Sequence, residues 1–111
     1  MSDNLLVQLS VEFAVKIVKL TDEIQGKGVL KNQILKSGTS IGANIHEANY
    51  AQSKADFVSK LQIALKECSE SEYWLELLLE GGYTDNRIVL EHCVEVKKIL
   101  IASINTAKNN K

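Results

Sequence analysis

The sequence predicts an all-α protein, an antiparallel up-down-up-down four-helix bundle, and three observations carry that reading. The chain has no proline. Its apolar residues recur at alternating steps of three and four, never in a sustained alternation of two. The breaks between the four periodic runs are short, and glycine or a small polar residue marks each one. Short connections make successive helices antiparallel neighbours.

The first helix is expected at about residues 4–24. Leu6, Leu9, Phe13, Ile17, Leu20 and Ile24 fall on one stripe, with Lys16, Lys19, Asp22 and Glu23 off it. Ser2 or Asp3 is the expected cap, and Gln25-Gly26-Lys27-Gly28 the stop. The second helix is expected at 29–50, with Ile34, Gly38, Ile41, Ile45 and Ala48 as its seam. Gly38 and Gly42 stand one turn apart, and each costs about 1 kcal/mol relative to alanine. Close approach of another backbone is the expected compensation. Ser37, Thr39, Ser40 and Asn44 add to the anomaly, because their side chains compete for backbone hydrogen bonds. Such local inconsistency marks function or an interface.

The third helix is expected at 53–80. Ser53-Lys54-Ala55-Asp56 has the form of a capping box, ahead of a seam of Phe57, Leu61, Ala64, Cys68, Ser71, Leu75 and Leu78. Gly81-Gly82 ends it. The fourth is expected at 85–107, capped by Thr84 or Asp85. Val89, Cys93, Val96, Leu100 and Ala107 form its seam, widened by Ile101 and Ile104. The whole chain, 1–111, reads as one domain.

Charge and composition then exclude several function classes. Thirteen basic residues against fourteen acidic ones give a net charge of −1, without the basic excess of a strong phosphate binder. No apolar leader and no long uncharged run appears, so the expectation is a cytoplasmic protein with reduced thiols and no membrane partner.

No reaction is legible. His46-Glu47 lacks the second histidine of a zinc motif, position 50 being Tyr50, and nothing near His92 supplies a ligand set, so no metal or cofactor is expected. Cys68 and Cys93 lie on seams and read as small packing residues, with a disulfide or a catalytic thiol as the alternatives. Ser40, His46 and Glu47 share one helix and cannot form a nucleophile–base pair, so no enzyme is expected. Glu67, Glu70, Glu72, Glu76 and Glu80 form an acidic face, either solvated or paired with lysines of another helix or partner.

The middle stretch resembles a known family. Gln33, Ile34 or Leu35, Lys36-Ser37, Thr39-Ser40-Ile41, Asn44-Ile45 and Glu47 resemble its hallmark helix, and Ser53, Asp56-Phe57, Leu61 and Ala64 the start of the next. The family is that of the four-helix bundle proteins encoded by intervening sequences of bacterial 23S ribosomal RNA genes. It includes accessory proteins of diversity-generating retroelements. Lys36 and His46 depart from the residues more usual there.

The resemblance implies an antiparallel four-helix protomer in a ring-shaped homopentamer, bacterial and cytoplasmic. On this reading Ser37, Gly38, Ser40, Ile41, Gly42, Asn44, Glu47, Ser53, Asp56 and Phe57 are the motif and interface residues. The expected function is a non-enzymatic, self-associating binding or assembly module. The alternative is a nucleic-acid-binding accessory protein that uses Lys16, Lys19, Lys27, Lys31 and Lys36.

Overall fold

The computed structural model describes residues 4–109. Four helices make up the fold: α1 (Asn4–Glu23), α2 (Gly28–Ala48), α3 (Lys54–Glu80) and α4 (Arg87–Asn109). Consecutive helices pack against each other and α4 closes the square against α1, giving a rod of 48 × 19 × 19 Å. Contacts across the α1/α2 and α2/α3 seams show the antiparallel order. Gly42 sits opposite Ser10 and Gly38 opposite Ile17, while Lys31 reaches the Ile24 carbonyl. Glu47 meets Lys60, and Ser37 meets Ser71.

Hydrophobic burial follows the sequence stripes. The α1 stripe from Leu6 to Ile24 is buried apart from half-buried Leu9, and every residue of the α2 seam is buried. On α3 the seam is buried from Leu61 onward, with Phe57 half-buried at its start. The fourth helix departs from expectation at one place: Ile104 is buried, but Ile101 is 41% exposed. Its seam turns instead through His92, which sits beside Cys93 and faces Phe13 of α1 at 5.9 Å, edge to face. In a square bundle each helix meets two neighbours, and His92 serves the α1 side.

Six of the eight helix ends differ from the expected bounds by one to two residues, and local hydrogen bonds account for those at Glu23, Ala48, Lys54 and Arg87. The first helix stops at Glu23 because the Ile24 N–H turns back to Thr21. Gly26 and Lys27 then take left-handed conformations, at φ 69° and 58°. For Lys27 this costs roughly 1 kcal/mol; its ammonium lies 4.9 Å from the centre of the Tyr83 ring. Asn49 and Tyr50 belong to a turn, with the Tyr50 N–H donating to Glu47. Ser53 is the cap rather than the first residue of α3, and its hydroxyl accepts from the Asp56 N–H at 3.0 Å. The return arm runs from the Gln52 N–H to the Asp56 carboxylate, one residue earlier than in a standard capping box.

At the far end of α3, Gly82 at φ 75° lets the Tyr83 N–H reach Leu78 and the Gly82 N–H reach Leu79, which is the Schellman arrangement. The fourth helix starts only at Arg87, because the Thr84 hydroxyl is occupied by the Asn86 N–H in the preceding turn. The expected caps Ser2 and Asp3 lie outside the described residues. Among those residues no helix is long and apolar enough to cross a membrane.

Candidate functional site

The anomalous residues of α2 divide between two faces. Ser37, Gly38 and Ile41 point into the core. Here the expected close backbone approach needs correcting at Gly38, whose neighbour is a side chain. A Cβ at Gly38 would lie 3.1 and 3.2 Å from the two γ carbons of Ile17. At Gly42 the neighbour is Ser10, with Oγ at 3.2 Å and its carbonyl carbon at 3.9 Å. Gly42 and Ser10 together let α1 and α2 approach closely at this level. Both glycines therefore serve a contact inside the protomer.

Ser37 is buried and pairs across the core with Ser71 of α3, the Ser71 hydroxyl donating to Ser37 Oγ at 2.9 Å. With the Ile34 carbonyl 3.5 Å from Ser37 Oγ and the Glu67 carbonyl 2.9 Å from Ser71 Oγ, both buried hydroxyls have partners, which removes the penalty of an unpaired polar group.

The outward residues behave differently. Thr39 Oγ1 donates to the Leu35 carbonyl at 2.7 Å and Ser40 Oγ to the Lys36 carbonyl at 2.6 Å. The Asn44 amide donates to the Ser40 carbonyl at 2.9 Å. These side chains fold back onto their own helix, which spends both hydroxyl donors and one N–H of Asn44. Of the three, Thr39 lines an apolar groove of about 420 Å³ between α1 and α2. Val11, Ala14, Val15 and Val18 form one wall, Thr39 and Ala43 the other, and Ser10 and Gly42 the floor. Val11, Val15 and Val18 are 56, 47 and 44% exposed. They form a second apolar line on α1 that the core stripe does not include.

The remaining motif residues organise the end of α2. Glu47 pairs with Lys60 at 3.1 Å, largely in solvent, where such a pair contributes little. Phe57 lines a shallow recess with Ala48, Ala51 and Ala107. His46 is exposed and packs on Tyr50.

The five lysines fall in separate places. Lys16 Nζ donates to His92 Nδ1 at 2.9 Å on the α1/α4 side, which places the ring proton on Nε2. Lys27 lies over Tyr83, and Lys31 caps the Ile24 carbonyl at 2.9 Å. Lys19 is exposed on the rim of the groove, and Lys36 is exposed on α2. Three of the five are thus engaged within the protomer.

His92 is 7% exposed, and burial first, then the Lys16 ammonium, hold its imidazole below the ordinary value of 6.5. Glu12, Glu91 and Glu95 border the same recess, and the charges of Glu95 and Glu12 oppose the shift. The fold therefore prefers the neutral ring. As pH falls, the unfolded chain takes up the proton first, so stability is lost downward through about pH 6.5. The wild-type melting temperature is expected to fall between pH 7.5 and 5.5 by more than that of His92→Gln, which keeps an acceptor for Lys16. Equal falls would remove His92 from the account.

Of the acidic face, Glu72 is paired. Its carboxylate accepts from Lys97 at 2.6 Å in a part-buried bridge between α3 and α4. That hydrogen bond raises the Lys97 ammonium above its ordinary value. Lys97→Met should cost about 1–2 kcal/mol in chemical denaturation, because it strands a part-buried carboxylate. No loss would show the bridge to be neutral. Glu70, Glu76 and Glu80 are exposed. Among the described residues no three His, Cys, Asp or Glu side chains converge as metal ligands.

A four-helix bundle with small residues at one helix crossing defines the class of protein. The model of the 23S rRNA-intervening sequence protein family matches residues 2–102, and the chain belongs to that family. It is also similar to a Bacteroides thetaiotaomicron protein of unknown function from the S23 ribosomal protein family, whose crystal structure was determined at 1.70 Å. The two are 48% identical, with a TM-score of 0.87, over 95% of this chain and 99% of that one. No curated protein matches it.

Proposed function

We propose that this protein is a non-enzymatic assembly module whose copies associate through the α1/α2 groove, in the pentamer that the family resemblance implies. The observation that carries this reading is the groove itself. Three valines stand substantially exposed in a row, facing Thr39, whose hydroxyl is bonded to its own helix. Contiguous apolar surface of this kind is a recurrent mark of protein interaction sites. Local pairing speaks against nucleophilic chemistry, since Ser40 donates to a main-chain carbonyl and Lys16 occupies His92. Nucleic-acid binding has less support, because Lys16, Lys27 and Lys31 are committed within the protomer.

Sedimentation equilibrium at micromolar concentration tests the proposal. The expected mass is a multiple of the 12.3 kDa chain, five being the number implied. A species of 12.3 kDa alone would end it.

A further inference from the structure

Cys68 of α3 and Cys93 of α4 face each other in the core, both with 0% exposure. Their sulfurs are 3.8 Å apart. Each also approaches its partner's main chain: Cys68 Sγ lies 3.4 Å from the Cys93 carbonyl oxygen, and Cys93 Sγ 3.5 Å from that of Cys68. Such reciprocal contacts require the two helix backbones to be close at this level. A disulfide would need the sulfurs only about 1.8 Å closer. Packing as small apolar residues explains burial, but it does not require two sulfurs in register across one seam.

We propose that Cys68 and Cys93 are a redox-convertible dithiol, closed to an α3–α4 disulfide by a hydroperoxide. A hydroperoxide is small enough to reach the pair through a local opening, whereas a bulky disulfide oxidant needs the helices to part. The reciprocal contacts admit either sulfur as the attacker, and the route through Cys68 is the one that the Cys93→Ser variant tests. The hydrogen bond from Cys93 holds the Cys68 thiol below the ordinary value of 9.0, against the opposing effect of burial. The same bond, with burial, pushes the Cys93 thiol up. Lys97, one turn beyond Cys93, favours the Cys68 thiolate, and Glu72 opposes it.

In the first step Cys68 sulfur attacks a peroxide oxygen and the O–O bond breaks. The products are a sulfenic acid and, with the thiol proton, one water when hydrogen peroxide is the oxidant. In the second step Cys93 sulfur attacks the sulfenic sulfur. The S–S bond forms, the S–O bond breaks, and the departing hydroxide leaves as a second water with the Cys93 proton. Two thiols lose two electrons, and the peroxide gains them.

The test uses the reduced full chain treated with hydrogen peroxide, then denatured, alkylated with iodoacetamide and weighed intact. The expected product has lost two hydrogens, carries no alkyl group and runs as a single chain without reductant. Its melting temperature should be at least about 5 °C higher, a gain that dithiothreitol reverses. Addition of two alkyl groups after peroxide has oxidised an exposed thiol control would overturn the proposal, as would chain-to-chain disulfides or sulfinic acid at either cysteine. In Cys93→Ser the sulfenic acid should persist and be captured by dimedone; a folded variant that gives no adduct removes Cys68 as the attacking sulfur. The wild-type result does not depend on that variant folding. The α3/α4 seam does not line the α1/α2 groove, so an unchanged sedimentation mass separates this outcome from the assembly reading.

Discussion

Gly38→Leu is expected to destabilise the protomer by about 3 kcal/mol, the upper range for overpacking a closed core. Its Cβ alone would press on the branched carbons of Ile17 at 3.1 and 3.2 Å, and Ile17 has no exposure through which to retreat. The further carbons of leucine have no space, so α1 and α2 must separate. Against a typical stability of 5–15 kcal/mol, such a loss lowers the melting temperature by roughly 10 °C or more. Circular dichroism melts measure it. A shift under about 2 °C would show that the seam yields easily. Gly38→Ala balances two terms: alanine gains about 1 kcal/mol of helix propensity, and Ile17 must move by a few tenths of an ångström.

Val15→Asp should have the opposite signature, leaving the protomer intact and abolishing its assembly. Val15 is already 47% exposed, so a carboxylate there meets water in the isolated chain. In an assembled groove it would be buried opposite apolar walls, without a partner, at a cost large enough to prevent association. The expected readings are a cooperative melt, lowered only by the stabilisation that association had supplied, and a fall in sedimentation mass to a single chain. Gly42→Leu is a companion test. Gly42 is half-buried at the groove floor, so its side chain would fill the groove and also crowd Ser10 Oγ at 3.2 Å. Were both variants to keep the wild-type mass, the association surface would lie elsewhere on the rod.

Most of the fold was legible because heptad-like spacing encodes which side of a helix faces inward. Ile17, Ile41, Leu61 and Leu100 are all buried where their spacing placed them. The errors arose where one residue had to serve a second neighbour. Ile101 looked like an extension of the α4 seam, yet His92 occupies the α1 side and Ile101 faces water. Val11, Val15 and Val18 also obey steps of four and three, but the stronger core stripe concealed them as a separate line. The glycines announced a close contact without naming the partner; only the folded chain shows Ile17 and Ser10 there. The sequence marks Thr39, Ser40 and Asn44 as competitors for backbone hydrogen bonds but not which carbonyl each reaches, since that depends on side-chain rotation.

The alternation of helix directions gives the rod two unlike poles. At one, the α1–α2 and α3–α4 connections meet, tied by Lys27 over Tyr83. At the other lie Asn4, Asn109 and the α2–α3 connection capped by Ser53. Copies arranged side by side about a common axis with the same pole up would thus place all their tied loops on one rim and all their Asn4 and Asn109 positions on the other. Such a ring would have two chemically distinct faces, so a ligand or tether attached at one face would always approach from the same side.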